Sequence, residues 1–99
     1  MPYEVILHPD VTSRDLPSLS KAQIRLVFKQ FKKLQASPQL GAPLGNKAGY
    51  DLRGMRKLYV DKKKIRIVYT IVETQVIVEV IAVGKRDDMA VYAKAEQRK

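Results

Sequence analysis

Between positions 53 and 66 the chain places seven of its nineteen lysines and arginines, Arg53, Arg56, Lys57, Lys62, Lys63, Lys64 and Arg66, around one tyrosine, Tyr59, and one acid, Asp61. A Lys/Arg/Tyr cluster of this kind suits cleavage of RNA by its own 2′-hydroxyl. That reaction needs a proton acceptor, cations around a crowded phosphate, and a donor for the leaving 5′-oxygen. Tyrosine is a poor base at its ordinary pKa near 10, but adjacent cations favour the phenolate, and the ring can stack on a base. Arginine can clamp two phosphate oxygens through parallel hydrogen bonds. The competing structural reading is a basic hairpin kept soluble by its lysines, with Arg66 paired to a carboxylate such as Glu79.

Composition narrows the chemistry further. The 99 residues carry 19 Lys plus Arg against 10 Asp plus Glu, a formal charge of +9, with no cysteine and one histidine, His8. Disulfides, thiolate metal sites and His-pair centres are therefore excluded, and no cofactor is expected. So small a chain with this apolar fraction predicts one domain over 1–99. The positive field would attract polyanions, nucleic acid above all. The first ten residues lack a basic start followed by a long apolar run, and no apolar stretch approaches a bilayer-spanning length. A cytoplasmic location without membrane association is expected.

The elements that must hold the cluster follow from periodicity. Tyr3, Val5 and Leu7 alternate with Glu4, Ile6 and His8 up to Pro9, a short strand with His8 as a surface residue at its end. A short helical turn is expected from Val11, ending near Leu16 ahead of Pro17. Ser20 and Gln23 have capping-box spacing, and Ile24, Val27, Phe28, Phe31 and Leu34 then recur at helical intervals up to Ser37 and Pro38. The opposite face, with Arg25, Lys29, Lys32 and Lys33, reads as solvated. Residues 39–50 hold Gly41, Pro43, Gly45, Asn46 and Gly49 and read as a loop without elements of its own. Three strands are predicted over 52–60, 65–72 and 76–83, forming an antiparallel meander, and a terminal helix or tail over 86–99.

If residues 61–64 close a hairpin, Val60 faces Ile65, Tyr59 faces Arg66, Leu58 faces Ile67 and Lys57 faces Val68. Leu58, Val60, Ile65 and Ile67 then share one face against the long helix, and Lys57, Tyr59 and Arg66 share the other. A slip of one residue would mix the two sets.

The run Ile65 to Tyr69, the strand Val76 to Val83, the turn Gly84-Lys85-Arg86 and the pair Val91-Tyr92 resemble the C-terminal half of RelE toxins of bacterial toxin-antitoxin systems. The similarity covers nearly the whole chain up to Tyr92. It implies an α+β, RelE-like fold: a small antiparallel sheet with an N-terminal strand, a helical pair packed on one face, a three-stranded meander and a short C-terminal helix. It also implies a ribosome-dependent endoribonuclease that cuts mRNA in the A site and halts translation. Its implied partners are the ribosome, mRNA and a cognate, RelB-like antitoxin that wraps the toxin in a hetero-oligomeric complex. Carried over residue by residue, Arg66 and Arg86 resemble the family's phosphate and leaving-group arginines, and Tyr92 its C-terminal tyrosine that stacks on or activates substrate. Lys57 is the candidate for the family's second-strand lysine, with Arg53 or Arg56 as substitutes. Lys62, Lys63, Lys64 and Lys85, with Arg53 and Arg56, are assigned to grip RNA or ribosome backbone.

Structural readings stand beside these. Tyr92 would serve as a docking residue that holds the tail by its ring and leaves its hydroxyl wet. Arg86 would pair with Asp87 or Asp88 at the surface. Two other functions fit the same residues: a ParE-like protein that blocks DNA gyrase without catalysis, and a non-catalytic RNA-binding module.

Overall fold

Val, Ile and Tyr fill the centre of the chain, and these β-branched and aromatic residues become its two longest strands. The computed structural model describes residues 2–47, 49–85 and 90–99. Its strands are β1 (Glu4–Leu7), β2 (Ala42–Pro43), β3 (Asn46–Lys47), β4 (Tyr50–Asp51), β5 (Met55–Val60), β6 (Ile65–Val72) and β7 (Ile77–Lys85). Its α-helices are α1 (Lys21–Ala36) and α2 (Ala90–Arg98). Five strands form one sheet in the order β1-β7-β6-β5-β2, antiparallel except where β1 joins parallel to β7. Helix α1 begins with the expected capping box, both Ser20 and Gln23 side chains bonding the other's backbone.

The sheet carries a core on each face. Under α1, Val27, Phe31 and Leu34 pack with Val60, Ile65, Ile67 and Tyr69, and Leu58 joins from the margin. On the other face, Val68, Ile81 and Ala82 meet Val91, Tyr92 and Ala95 of α2, together with Leu44, Leu52 and Met55. Between Val68 and Tyr69 the β6–β7 register shifts, leaving Ile81 as the extra residue of a bulge.

Several local expectations are corrected. The helical turn expected after β1 forms, as a π-type turn over Val11–Asp15 that ends at Leu16, but it runs on into a 3-10 turn over Leu16–Ser18, with Pro17 accepted in its first positions, where a missing N–H costs nothing. The first meander strand starts at Met55, since Gly54 takes a left-handed φ of 85° in the turn before it. Val76 is likewise left-handed, so β7 begins one residue later than predicted. The stretch 39–50 is more than a loop: β2 pairs with β5, and β3 pairs with β4. The buried Tyr69 hydroxyl holds that segment, donating to the Pro38 carbonyl at 2.7 Å and accepting from the Gly41 N–H at 2.8 Å. No described helix is long and apolar enough to cross a membrane.

Candidate nucleic-acid site

The β5–β6 hairpin adopts the register that the apolar pattern predicts, with Tyr59 opposite Arg66 and Lys57 opposite Val68. Residues two apart on a strand share a face, and directly opposite residues share it too. Lys57, Tyr59 and Arg66 are therefore brought together by backbone geometry alone. The Lys57 ammonium donates to the Tyr59 hydroxyl at 3.1 Å and lies 5.0 Å from the centre of its ring. Lys63 Nζ and the Arg66 guanidinium each lie 5.8 Å from that ring centre. The hydrogen bond from Lys57 is the largest influence on the Tyr59 phenol. Burial opposes it, but with the charge of Lys57 and the bond and charge of Arg66 added, the pKa falls below the ordinary tyrosine value. A phenol so placed is biased towards accepting a proton.

Arg66 itself is only 4% exposed. Its guanidinium is near two aromatic rings, 4.6 Å from the Tyr92 ring centre and 5.8 Å from that of Tyr59. The pairing with Glu79 that a structural reading would give it does not form: Glu79 stands opposite Thr70, whereas Arg66 stands opposite Gly84. Four positions along β6, from Arg66 to Thr70, put the two roughly 13 Å apart along the strand.

The other assigned residues divide by their engagement. Lys62, Lys63 and Lys64 are exposed at the hairpin tip, and Asp61, Lys62 and Lys63 all take left-handed backbone with φ of 54°, 55° and 70°. Three such residues in a row, none of them glycine, store strain in this turn. Arg53 is exposed but tied to Asp51 through two hydrogen bonds of 2.8 and 3.0 Å, which hold the Asp51 carboxyl well below the usual range. Arg56 donates to the Gly41 carbonyl at 2.7 Å and so braces β2 against β5. Lys85 ends β7 and is exposed. Arg86, with Asp87 and Asp88, lies outside the described residues.

Tyr92 is placed differently from its expected role. It is fully buried in the core beneath α2, and its hydroxyl has no hydrogen-bond partner among the described residues. The docking reading holds for the ring, but the hydroxyl is not wet. While α2 stays docked, Tyr92 meets Arg66 and does not reach a base. The tyrosine beside both cations is Tyr59, which the sequence already places in the basic cluster although the resemblance to RelE toxins does not single it out. The signal was the hairpin register itself.

His8 stands apart from this cluster at the end of β1, its Nδ1 accepting from the Asp10 N–H. Among the described residues no group of three or more His, Cys, Asp or Glu side chains is placed to hold a metal ion.

Comparison with known proteins bears on the same features. Residues 7–90 match the family described as the ParE toxin of the type II toxin-antitoxin system. A curated relative from Escherichia coli, described as a putative RelE-like toxin protein, is 31% identical over 101 residues, covering 99% of this chain and 98% of the relative. Among solved structures, a double arginine mutant of the E. coli toxin RelE in the free state superposes with a TM-score of 0.79 at 22% identity, covering 99% of this chain and 98% of that one. The toxin-antitoxin complex RelBE2 from Mycobacterium tuberculosis matches with a TM-score of 0.71 at 25% identity, over 87% of this chain and 100% of that chain. The same E. coli mutant in complex with a peptide of the antitoxin RelB matches at 0.73 and 22% identity, over 100% of this chain and 99% of that one.

Proposed function

This chain belongs to the RelE/ParE family of toxins of type II toxin-antitoxin systems, and from that premise we propose that it is a ribosome-dependent endoribonuclease that cuts mRNA in the ribosomal A site. The observation that carries the reading is the Lys57–Tyr59–Arg66 cluster, a phenol held low in pKa by two cations on a strongly basic hairpin. In the proposed step the 2′-oxygen attacks the adjacent phosphorus and its proton passes to Tyr59. The bond from phosphorus to the 5′-oxygen breaks, giving a 2′,3′-cyclic phosphate and a 5′-hydroxyl. Lys57 and Arg66 hold the phenolate in place and offset the charge that grows on the phosphate. Arg86, the residue after Lys85 at the end of β7, stabilises the leaving oxygen, as the resemblance to RelE toxins implies, and that oxygen takes its proton from water to give the 5′-hydroxyl. Lys62, Lys63, Lys64 and Lys85 hold backbone phosphates and position the complex. With a single histidine in the chain, the site relies on the ribosome and on RNA geometry for alignment.

The natural inhibitor in this reading is a RelB-type antitoxin whose acidic segments complement the +9 charge, in a hetero-oligomeric complex. Relatives described as complexes of RelE-type toxins with RelB-type antitoxins support it.

A second reading is favoured by one observation, the match of residues 7–90 to the ParE toxin family: a non-catalytic inhibitor of DNA gyrase. One pair of assays separates the two. Mapping mRNA 5′ ends in a reconstituted translation system, with and without ribosomes, should give discrete ribosome-dependent cuts. Intact mRNA together with blocked gyrase supercoiling would favour the second reading.

A further inference from the structure

Asp15 is the one carboxylate among the described residues that is wholly buried, and nothing in the proposed chemistry uses it. It lies at the end of the π-type turn and gathers three elements. Its Oδ2 accepts from the Val83 N–H of β7 at 2.9 Å and from Arg98 Nη1 at 2.7 Å. Its Oδ1 accepts from Arg98 Nη2 at 3.2 Å and from Lys94 Nζ at 3.2 Å. Arg98 reaches further, to the Ile81 carbonyl at 3.1 Å and to Asp10 at 3.6 Å.

Both ends of this arrangement lead to Arg66. Val83 immediately precedes Gly84, the residue paired with Arg66 across the sheet. Lys94 and Arg98 are one helical turn apart on α2, and the same helix carries the Tyr92 ring that lies on the Arg66 guanidinium. A nine-residue helix is too short to persist alone in water, so its pose depends on what anchors it. Val91, Tyr92 and Ala95 supply an apolar contact, which is tolerant of sliding. The Asp15 ion pairs are directional and fix where the helix stops.

We propose that Asp15 is a positioning residue for the Tyr59 site, pinning α2 against β7 so that the Tyr92 ring stays against the Arg66 guanidinium, which lies 5.8 Å from the Tyr59 ring centre. This rests on the proposed function for its consequence in cleavage, though not for its geometry. Removing the negative charge leaves Arg98, 9% exposed, without its close bidentate partner and with the longer contact to Asp10 at 3.6 Å. The helix then shifts or frays, and Arg66 loses the ring that backs it.

The test compares wild type with Asp15→Asn, Arg98→Gln and Lys94→Gln, using thermal unfolding to identify the folded variants. In each folded variant the Tyr59 ring is titrated by NMR in the free protein, and the cleavage rate is measured on programmed ribosomes. The expected result is a Tyr59 titration moved up towards an ordinary tyrosine. Cleavage should fall by about tenfold to a hundredfold at unchanged ribosome affinity. The Tyr59 titration is read without ribosomes, so it decides the positioning role even if no variant, nor the wild type, cuts mRNA. An unchanged Tyr59 titration in a folded Asp15→Asn protein would overturn the proposal. So would unfolding of all three variants, since the ion pairs would then determine the fold and not the site.

Discussion

The guanidinium of Arg66 lies 4.6 Å from the centre of the Tyr92 ring, and that ring is wholly buried while its hydroxyl bonds to nothing among the described residues. The ring and the hydroxyl therefore make separable contributions. Tyr92→Phe keeps the ring and removes an unsatisfied buried polar group, so stability should hold or rise by about 1 kcal/mol, with cleavage retained. Tyr92→Ala opens a cavity and should cost about 3–5 kcal/mol and most of the activity. Chemical denaturation and single-turnover cleavage measure both. A folded Tyr92→Phe protein that no longer cuts would show that the hydroxyl meets RNA and that α2 must undock first.

Tyr59 makes a prediction about pH. Its pKa is lowered chiefly by the hydrogen bond from Lys57, so the phenolate fraction grows with rising pH around a midpoint below the ordinary value of about 10. The cleavage rate should climb with pH through that midpoint and then level off. Lys57→Met removes the larger influence and should move the midpoint upward, and Tyr59→Phe should flatten the profile. A wild-type profile that is flat through this range would remove Tyr59 as the base.

Gly41 is the position where a side chain does not fit. A Cβ there would come within 2.5 Å of the Lys57 carbonyl and 2.7 Å of the Tyr69 hydroxyl. Gly41→Ala should destabilise by about 1–3 kcal/mol, as overpacking of a close contact does. It should also disturb β2 against β5 and so lower activity through Lys57. Thermal unfolding with unchanged midpoint would show that the segment relaxes freely.

The hairpin tip trades stability against charge. Lys63 has φ of 70°, a conformation that glycine adopts without penalty, and its ammonium lies over Tyr59. Lys63→Gly should raise stability by about 1 kcal/mol. RNA or ribosome affinity should fall, with a shallower salt dependence from the lost phosphate contact. A variant that gains no stability would mean that the turn imposes no strain at this position.

The hairpin was legible in the sequence because two independent signals agreed: alternation over Leu58–Val60 and Ile65–Ile67, and a four-residue closing segment that fixes register. That register alone placed Lys57, Tyr59 and Arg66 on one face. The capping box of α1 was legible for a similar reason, its residues being three apart. Contacts between distant residues left no such trace. Tyr69 with Gly41, 28 residues apart, draws β2 to the sheet, and two-residue strands carry no periodicity to detect. Asp15 with Arg98, 83 residues apart, looks in the sequence like two ordinary surface charges. Whether Tyr92 faced RNA or the sheet was undetermined, because Val91, Tyr92 and Ala95 define an apolar stripe without saying what covers it.

The most direct test of the Lys57–Tyr59–Arg66 site is the chemistry of the ends it makes. Wild-type protein on ribosomes programmed with a defined mRNA should leave a 2′,3′-cyclic phosphate and a 5′-hydroxyl at A-site codons. Arg66→Ala, Tyr59→Phe and Arg86→Ala should each reduce that cleavage strongly while still binding the ribosome. Cuts that leave a 5′-phosphate, or undiminished cutting by the Tyr59→Phe and Arg66→Ala proteins, would contradict this assignment.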